Sequence, residues 1–290
     1  MTRRHLFASL PIDRDEAWRE RAGAGEIPLE SARRFFLSNS GEVLVSGSVA
    51  DAEPSLRLWL GSIDAQPVVV DIIDRIRDAA LGDSEWVDLR LAARNLDERD
   101  AGIAAYARAL MHWHEKHRFC GVCGQPTTIL HGGHRRRCEA CGTLQFPRVD
   151  PAIITLVEHD GRCLLGRQAN WPDKRYSVLA GFVEPGESLE DAVRREVFEE
   201  AGVRVDQCDY HSSQPWPFPS SLMLGFMATT SSPALNIGEE LQHAMWLSPE
   251  EMQSAIAHGE LKLPPRVSLS NALIADWYQA RTGRVLPGGA

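Results

Sequence analysis

Residues 189–201, LEDAVRREVFEEA, put five carboxylates and two arginines into one short stretch. Ser188, with Asp191 three residues on, has the pattern of a helix start. Ala192, Val193, Val197 and Ala201 then recur at helical spacing, and Gly202 ends the run. On such a helix Glu196, Glu199 and Glu200 stand at i, i+3 and i+4, so three carboxylates share one patch. Like charges that close repel, and a hard divalent cation preferring oxygen ligands, Mg²⁺ or Mn²⁺, turns the crowding into binding. Arg195 is placed to hold one of them. A surface helix with a solvated acidic face is the plainer alternative. The preceding segment, Gly181 to Gly186, has two glycines and a proline, which predicts a loop carrying Glu187 and backbone carbonyls to the helix start.

A second set of residues suggests a different metal. Four of the six cysteines form two pairs, Cys120/Cys123 and Cys138/Cys141, each closed by a glycine that lets the backbone turn tightly around thiolate sulfur. Together they spell a four-cysteine zinc ribbon. With no open coordination position the zinc is structural, one ion per chain; a redox or disulfide pair is the alternative. Cys163 and Cys208 fall in strand-like runs and are expected as buried thiols.

These groups need elements to hold them, and the composition provides for a core. At 290 residues, 43% hydrophobic and 24% charged, the chain has the make-up of a globular protein with more than one domain. No apolar run approaches the ~18 residues of a membrane helix, and the start lacks a long apolar segment, so a cytoplasmic protein without membrane contact is expected. The net charge of −9 argues against a general nucleic-acid binder. The expected fold class is α+β, in three parts. Residues 1–117 form a β-rich N-terminal domain with a linking helix, 118–147 the ribbon, and 148–290 a mixed α/β domain.

In the first part, Arg34–Leu37, Glu42–Val45, Leu56–Leu60, Pro67–Ile72 and Glu85–Leu89 are strand candidates, followed by a helix over Asp97–His117. The histidines of HWHEKH flank the knuckles without being needed as ligands. Ile129–Arg137 predicts a hairpin tip, solvated by default, whose arginines have phosphate steering as an alternative role. From Phe146 onward strand, turn, strand, loop and helix alternate, with closing helices over Pro249–His258 and Ser268–Arg281. Ser213–Ser221, SQPWPFPSS, carries three prolines, which cannot continue a ladder, and presents Trp216 and Phe218 as flat faces suited to a stacked base.

Gly181, Glu187, Arg195, Glu196, Val197, Glu199, Glu200, Gly202 and Val203 match G-x5-E-x7-R-E-U-x-E-E-x-G-U, with U aliphatic, at every specified position. The chain therefore resembles the Nudix hydrolases. SQPWPFPSS with the ribbon resembles the NADH pyrophosphatase branch of that family over about the last 170 residues. The resemblance implies an α/β/α sandwich for the C-terminal domain and hydrolysis of the pyrophosphate of NAD(H) to nicotinamide mononucleotide and AMP. Removal of NAD caps from RNA 5′ ends is implied as a close companion activity. It further implies two or three Mg²⁺ or Mn²⁺ ions on the Ala180 carbonyl, Glu196, Glu200 and Glu240. Glu199 would complete the shell or be held by Arg195, and the Glu199/Glu200 pair would act as base. Gln214, Pro215, Trp216, Pro217, Phe218, Pro219, Ser220 and Ser221 would contact substrate, with Ser270 against it. Phe182 would reach a neighbouring subunit's site, which implies a homodimer. Phe146 stands where relatives often have tyrosine, so a hydroxyl contact to substrate is absent. A nucleic-acid-binding ribbon protein with a degenerate Nudix domain is the reading from a different class.

Overall fold

The computed structural model describes residues 5–8, 10–47, 49, 52–74, 84–93 and 95–287; the basic opening at residues 2–4 lies outside them. Contacts divide the chain into two compact units. One comprises Leu6–Val149 with Pro215–Ser220, the other Asp150–Gln214 and Ser221–Ala290 with His5.

The N-terminal unit begins with helix α1 (Glu16–Gly23), absent from the sequence expectation, whose mostly charged turns give little periodic signal. Strands β1 (Arg33–Ser38), β2 (Glu42–Ser46), β3 (Leu56–Ile63), β4 (Gln66–Ile73) and β5 (Glu85–Asp88) follow, forming one sheet in the order β3-β4-β1-β2-β5. A short helix α2 (Leu89–Ala92) leads to α3 (Glu98–Lys116). Ile103, Ala107, Leu110 and Met111 of α3 pack on Leu37, Leu58, Leu60, Val70 and Ile72 of the sheet, as the helical spacing predicts. Asp71 is fully buried in β4 and is neutralised by Arg34 and Arg57, each at 2.6 Å.

The ribbon strands are β6 (Thr127–Leu130), β7 (Arg135–Cys138) and β8 (Leu144–Gln145), with a 3₁₀ turn at His131–Gly133. Here the solvated-tip expectation is corrected. Gly132, Gly133, His134 and Arg136 are buried, because the tip packs on β3. A Cβ on Gly132 would lie 2.9 Å from that of Trp59, and one on Gly133 2.6 Å from the Leu58 side chain. His114 and His134 are spent on this packing. His114 Nε2 bonds the Gly133 carbonyl at 2.8 Å, and His134 Nε2 bonds the Trp59 carbonyl at 2.8 Å.

In the C-terminal unit, β9 (Asp150–His159), β10 (Arg162–Arg167) and β11 (Leu179–Phe182) precede helix α4 (Leu189–Ala201). Strands β12 (Gln207–Trp216), β13 (Ser221–Thr229) and β14 (His243–Leu247) come next, then helices α5 (Pro249–Ala257) and α6 (Leu269–Thr282). The sheet runs β12-β13-β9-β10-β14, with β11 also on β9; β13 is parallel to β9, and β10 and β11 are antiparallel to it. Alternation along β9 feeds two cores. Ile153 and Val157 join Ala192, Val193, Val197 and Ala201 of α4, whereas Ile154 and Leu156 join Met252 of α5 and Leu273, Ile274 and Trp277 of α6. The result is the α/β/α sandwich. One detail differs: β12 continues to Trp216, so the ladder persists into the proline-bearing segment and the turn is confined to Pro217–Ser220.

Candidate active site

Helix α4 is capped as its sequence predicts. The Ser188 hydroxyl accepts from the Asp191 amide, and Gly202 closes the C-terminus in the left-handed conformation at φ 70°. The loop before it is tied down by Arg195, whose guanidinium donates to Glu187 at 2.6 and 2.9 Å, to Glu196 at 2.8 Å, to Glu199 at 3.0 Å and to the Phe182 carbonyl at 2.8 Å. One arginine thus holds three carboxylates, more than the single one expected. The Glu187 carboxyl is drawn down to about 2, first by its bond from Arg195 and next by the Glu184 amide.

Glu200 faces the other way. It is 4% exposed, and its Oε2 is a buried oxygen without a hydrogen-bond partner. Burial raises its carboxyl to about 8, repulsion from Glu196 and Glu240 adds to the rise, and a backbone hydrogen bond from Ala180 opposes it. Glu196 is also raised, first by burial. Glu240 arrives from a distant loop stitched to the end of α4: the Asn236 amide donates to the Ala201 carbonyl at 2.8 Å and the Gly238 amide to the Glu200 carbonyl at 3.0 Å. Gly238 and Gly181 permit these approaches. A Cβ on Gly238 would sit 2.2 Å from the Glu199 carbonyl oxygen, and one on Gly181 1.8 Å from Glu196 Cδ.

Around these groups lies an open notch of about 380 Å³ lined by Ala152, Ala180, Gly181, Phe182, Glu184, Glu196, Ser221, Met223 and Glu240. A smaller recess of about 110 Å³ reaches Glu200 beside Gln168, Trp171 and Ser177, none of which the sequence reading singled out. The orphaned oxygen of Glu200, with Glu196 and Glu240 repelling it, fits a site for hard cations.

The remaining site residues divide. Phe182 (59% exposed) and Ser221 border the notch. Gln214 is fully buried, accepting from the Leu269 amide and donating to the Val267 carbonyl, each at 2.7 Å, so it braces the start of α6. Ser270 is buried and bonds Ser177 Oγ at 2.7 Å. Trp216 and Phe218 belong to the N-terminal unit and pack edge-on against Phe7, each at 6.3 Å, with the Arg90 and Arg108 guanidinium groups over the Phe218 ring. Phe146 is exposed in the ribbon with Arg135 over its ring.

The four cysteines converge with all sulfurs within 4.8 Å; among the described residues no other three His, Cys, Asp or Glu side chains gather so closely, Glu196, Glu200 and Glu240 included. Sulfur separations of 3.4, 3.5 and 3.7 Å approach the roughly 3.8 Å edge of a tetrahedron with Zn–S near 2.3 Å. The Val122 amide points at Cys120 Sγ, as the knuckle geometry requires. The cysteines fit zinc.

The sandwich, with an acidic helix lining a notch, defines a Nudix domain. Family models agree: a NUDIX domain matches residues 147–267, an NADH pyrophosphatase zinc ribbon domain 115–146, and an NADH pyrophosphatase-like rudimentary NUDIX domain 33–113. The NAD-capped RNA hydrolase NudC of Mycobacterium bovis is 37% identical over 272 residues, 88% of this chain and 86% of that protein. The NAD-capped RNA hydrolase NUDT12 of Macaca fascicularis is 43% identical and that of Homo sapiens 42%, each over 202 residues, 65% of this chain and 44% of theirs. The chain thus spans under half the length of those two relatives. It belongs to the Nudix hydrolase superfamily, in the NADH pyrophosphatase branch that carries a zinc ribbon. The likeness also covers residues 33–113, beyond the stretch of about the last 170 residues to which the sequence resemblance extends.

Proposed function

We propose that this protein hydrolyses the pyrophosphate of NAD(H) to nicotinamide mononucleotide and AMP, and removes NAD caps from RNA 5′ ends. The observation that carries the proposal is the buried, unpartnered carboxylate oxygen of Glu200, set against Glu196 and Glu240. Glu196, Glu200, Glu240 and the Ala180 carbonyl would hold two or three Mg²⁺ or Mn²⁺ ions, with Glu199 completing the set. Bound there, the ions supply charge neutralisation for the diphosphate and a Lewis acid for the attacking water.

The chain's own residues do the rest. Arg195 fixes Glu196 and Glu199 in orientation, and the Glu199/Glu200 pair takes the water's proton. Phe182 and Ser221 touch the substrate at the notch; Gln214 and Ser270 act through the α6 start and the β11 approach that they brace. The family resemblance further implies nucleotide contacts for Pro215 to Ser220 and Phe146. Exposed Phe182 is the residue through which a second copy would serve the site, so the working form is a homodimer. No described helix is long and apolar enough to cross a membrane, and thiolate ligands for zinc suit a reducing compartment, hence the cytoplasm. The names of the relatives in M. bovis and primates support the capped-RNA substrate, and the NADH pyrophosphatase family models support NAD(H).

The test is to incubate the protein with NADH and Mg²⁺ or Mn²⁺ and identify the products. Glu200→Gln is expected to lose at least ~100-fold in kcat, about 2.7 kcal/mol, while circular dichroism shows an intact fold. Turnover near wild type would overturn the assignment.

A further inference from the structure

The ribbon sheet has two unlike faces. Residues directly opposite each other across a ladder project to the same side. The registers Thr128↔Arg137, Leu130↔Arg135 and Arg137↔Leu144 therefore put Thr128, Leu130, Arg135, Arg137 and Leu144 on one face. Thr127, Ile129, Arg136, Cys138 and Gln145 take the other face, where Thr127, Arg136 and Cys138 are buried and Ile129 at its edge is 43% exposed. The first face is open: Leu144 is 45% exposed and Phe146, just beyond it, 54%. Arg135 lies over the Phe146 ring at 5.4 Å and pairs with exposed Glu16. Arg137 is exposed, and among the described residues no ion pair engages it. The sole acidic group of the ribbon, Glu139, accepts from Thr128 Oγ1 at 2.8 Å.

Charge separates the ribbon from the rest of the chain, and two of its arginines, Arg135 and Arg137, stand on this face. Residues 118–147 hold four arginines against one glutamate, in a chain of net charge −9. An apolar ledge edged by guanidinium groups matches a ligand with flat bases on a phosphate backbone. We infer that the outward face of the ribbon sheet, Arg135, Arg137 and Leu144, binds single-stranded RNA and so holds the body of a capped transcript. The inference rests on the decapping reading above for its purpose, though not for its measurement. Arg137 contacts phosphate, Leu144 receives a base, and Glu16 yields Arg135 to the polyanion.

The experiment uses the full-length protein and a fluorescently labelled, unstructured RNA of about ten nucleotides with a 5′ monophosphate, followed by anisotropy over a range of salt. Arg137→Glu should weaken binding at least ~10-fold and lower the salt slope by roughly 1 or more. Glu139→Gln should tighten binding, an arm that misfolding cannot mimic. With the same RNA carrying an NAD cap, Arg137→Glu should raise KM while NADH hydrolysis stays within about twofold of wild type. Unchanged RNA binding in both variants, or an equal fall in NADH and capped-RNA turnover, overturns the inference. So does sedimentation showing that Arg137→Glu splits a dimer while RNA affinity holds, since the face would then be a protein contact. Failure to hydrolyse NADH in the wild type would instead refute the proposed reaction and leave the anisotropy result to stand by itself.

Discussion

Gly181 and Glu196 show how little room the acidic cluster leaves. The missing side chain at 181 is occupied by the Glu196 carboxyl, so Gly181→Ala would push a flexible carboxylate aside without disturbing the apolar core. The expected outcome is a loss of at least ~10-fold in kcat, about 1.4 kcal/mol, with an almost unchanged melting temperature; steady-state kinetics beside calorimetry would check it. Gly181 was legible because it sits eight residues before the helix, within one local pattern. Gly238 was not. It is required by the Glu199 carbonyl, nearly forty residues back, and nothing nearby in the chain announces that approach. Gln168 and Trp171 escaped notice for the same reason: they meet Glu200 only through the pairing of β10 with β9 and β14.

At the scale of elements, α4 and the sheet strands were readable because a helix cap, a period of 3.6 and a period of 2 are all local. The ribbon hairpin was readable too, but the burial of its tip was not, since that is imposed by Leu58 and Trp59 of β3, far away in sequence. His134 of the tip and His114 of α3 beside it make the consequence measurable. His114 Nε2 donates to the Gly133 carbonyl, which leaves Nδ1 to accept from Arg136 at 2.8 Å, so the ring is held neutral. Burial, with Arg136 behind it, lowers His114 to about 4; burial, followed by Arg19, does the same for His134. Against an ordinary value near 6.5, the unfolded chain binds more protons between pH 4 and pH 6.5, so stability rises with pH across that window. It is complete above about 6.5 and drains away on acidification. His134→Gln should flatten the dependence by up to roughly 3 kcal/mol, which denaturant unfolding of both proteins at pH 7 and pH 4.5 would reveal.

At the scale of the whole molecule, the sequence located the ribbon and the catalytic fold, yet it did not show how the chain is shared between the two compact units. Zinc bears on the first of these. Cys120 and Cys138 are buried, and their neighbours Thr127 and Arg136 form the hydrogen-bonded wall of the same sheet. Stripping the ion with a strong chelator should release one zinc per chain and lower the melting temperature, and restoring zinc should reverse both. Metal content and calorimetry on one sample provide the check. The other matter is the path of the chain, which leaves the C-terminal unit at Gln214, lends Pro215–Ser220 to the N-terminal unit, and returns at Ser221. Trp216 and Phe218 find their apolar company there, beside Phe7, Leu89 and Ala92. A gene shortened to begin at Asp150 would preserve every catalytic glutamate and still strip those two rings of their lodging. Such a fragment should clump on expression, and rescue would come from supplying residues 6–149 as a separate piece.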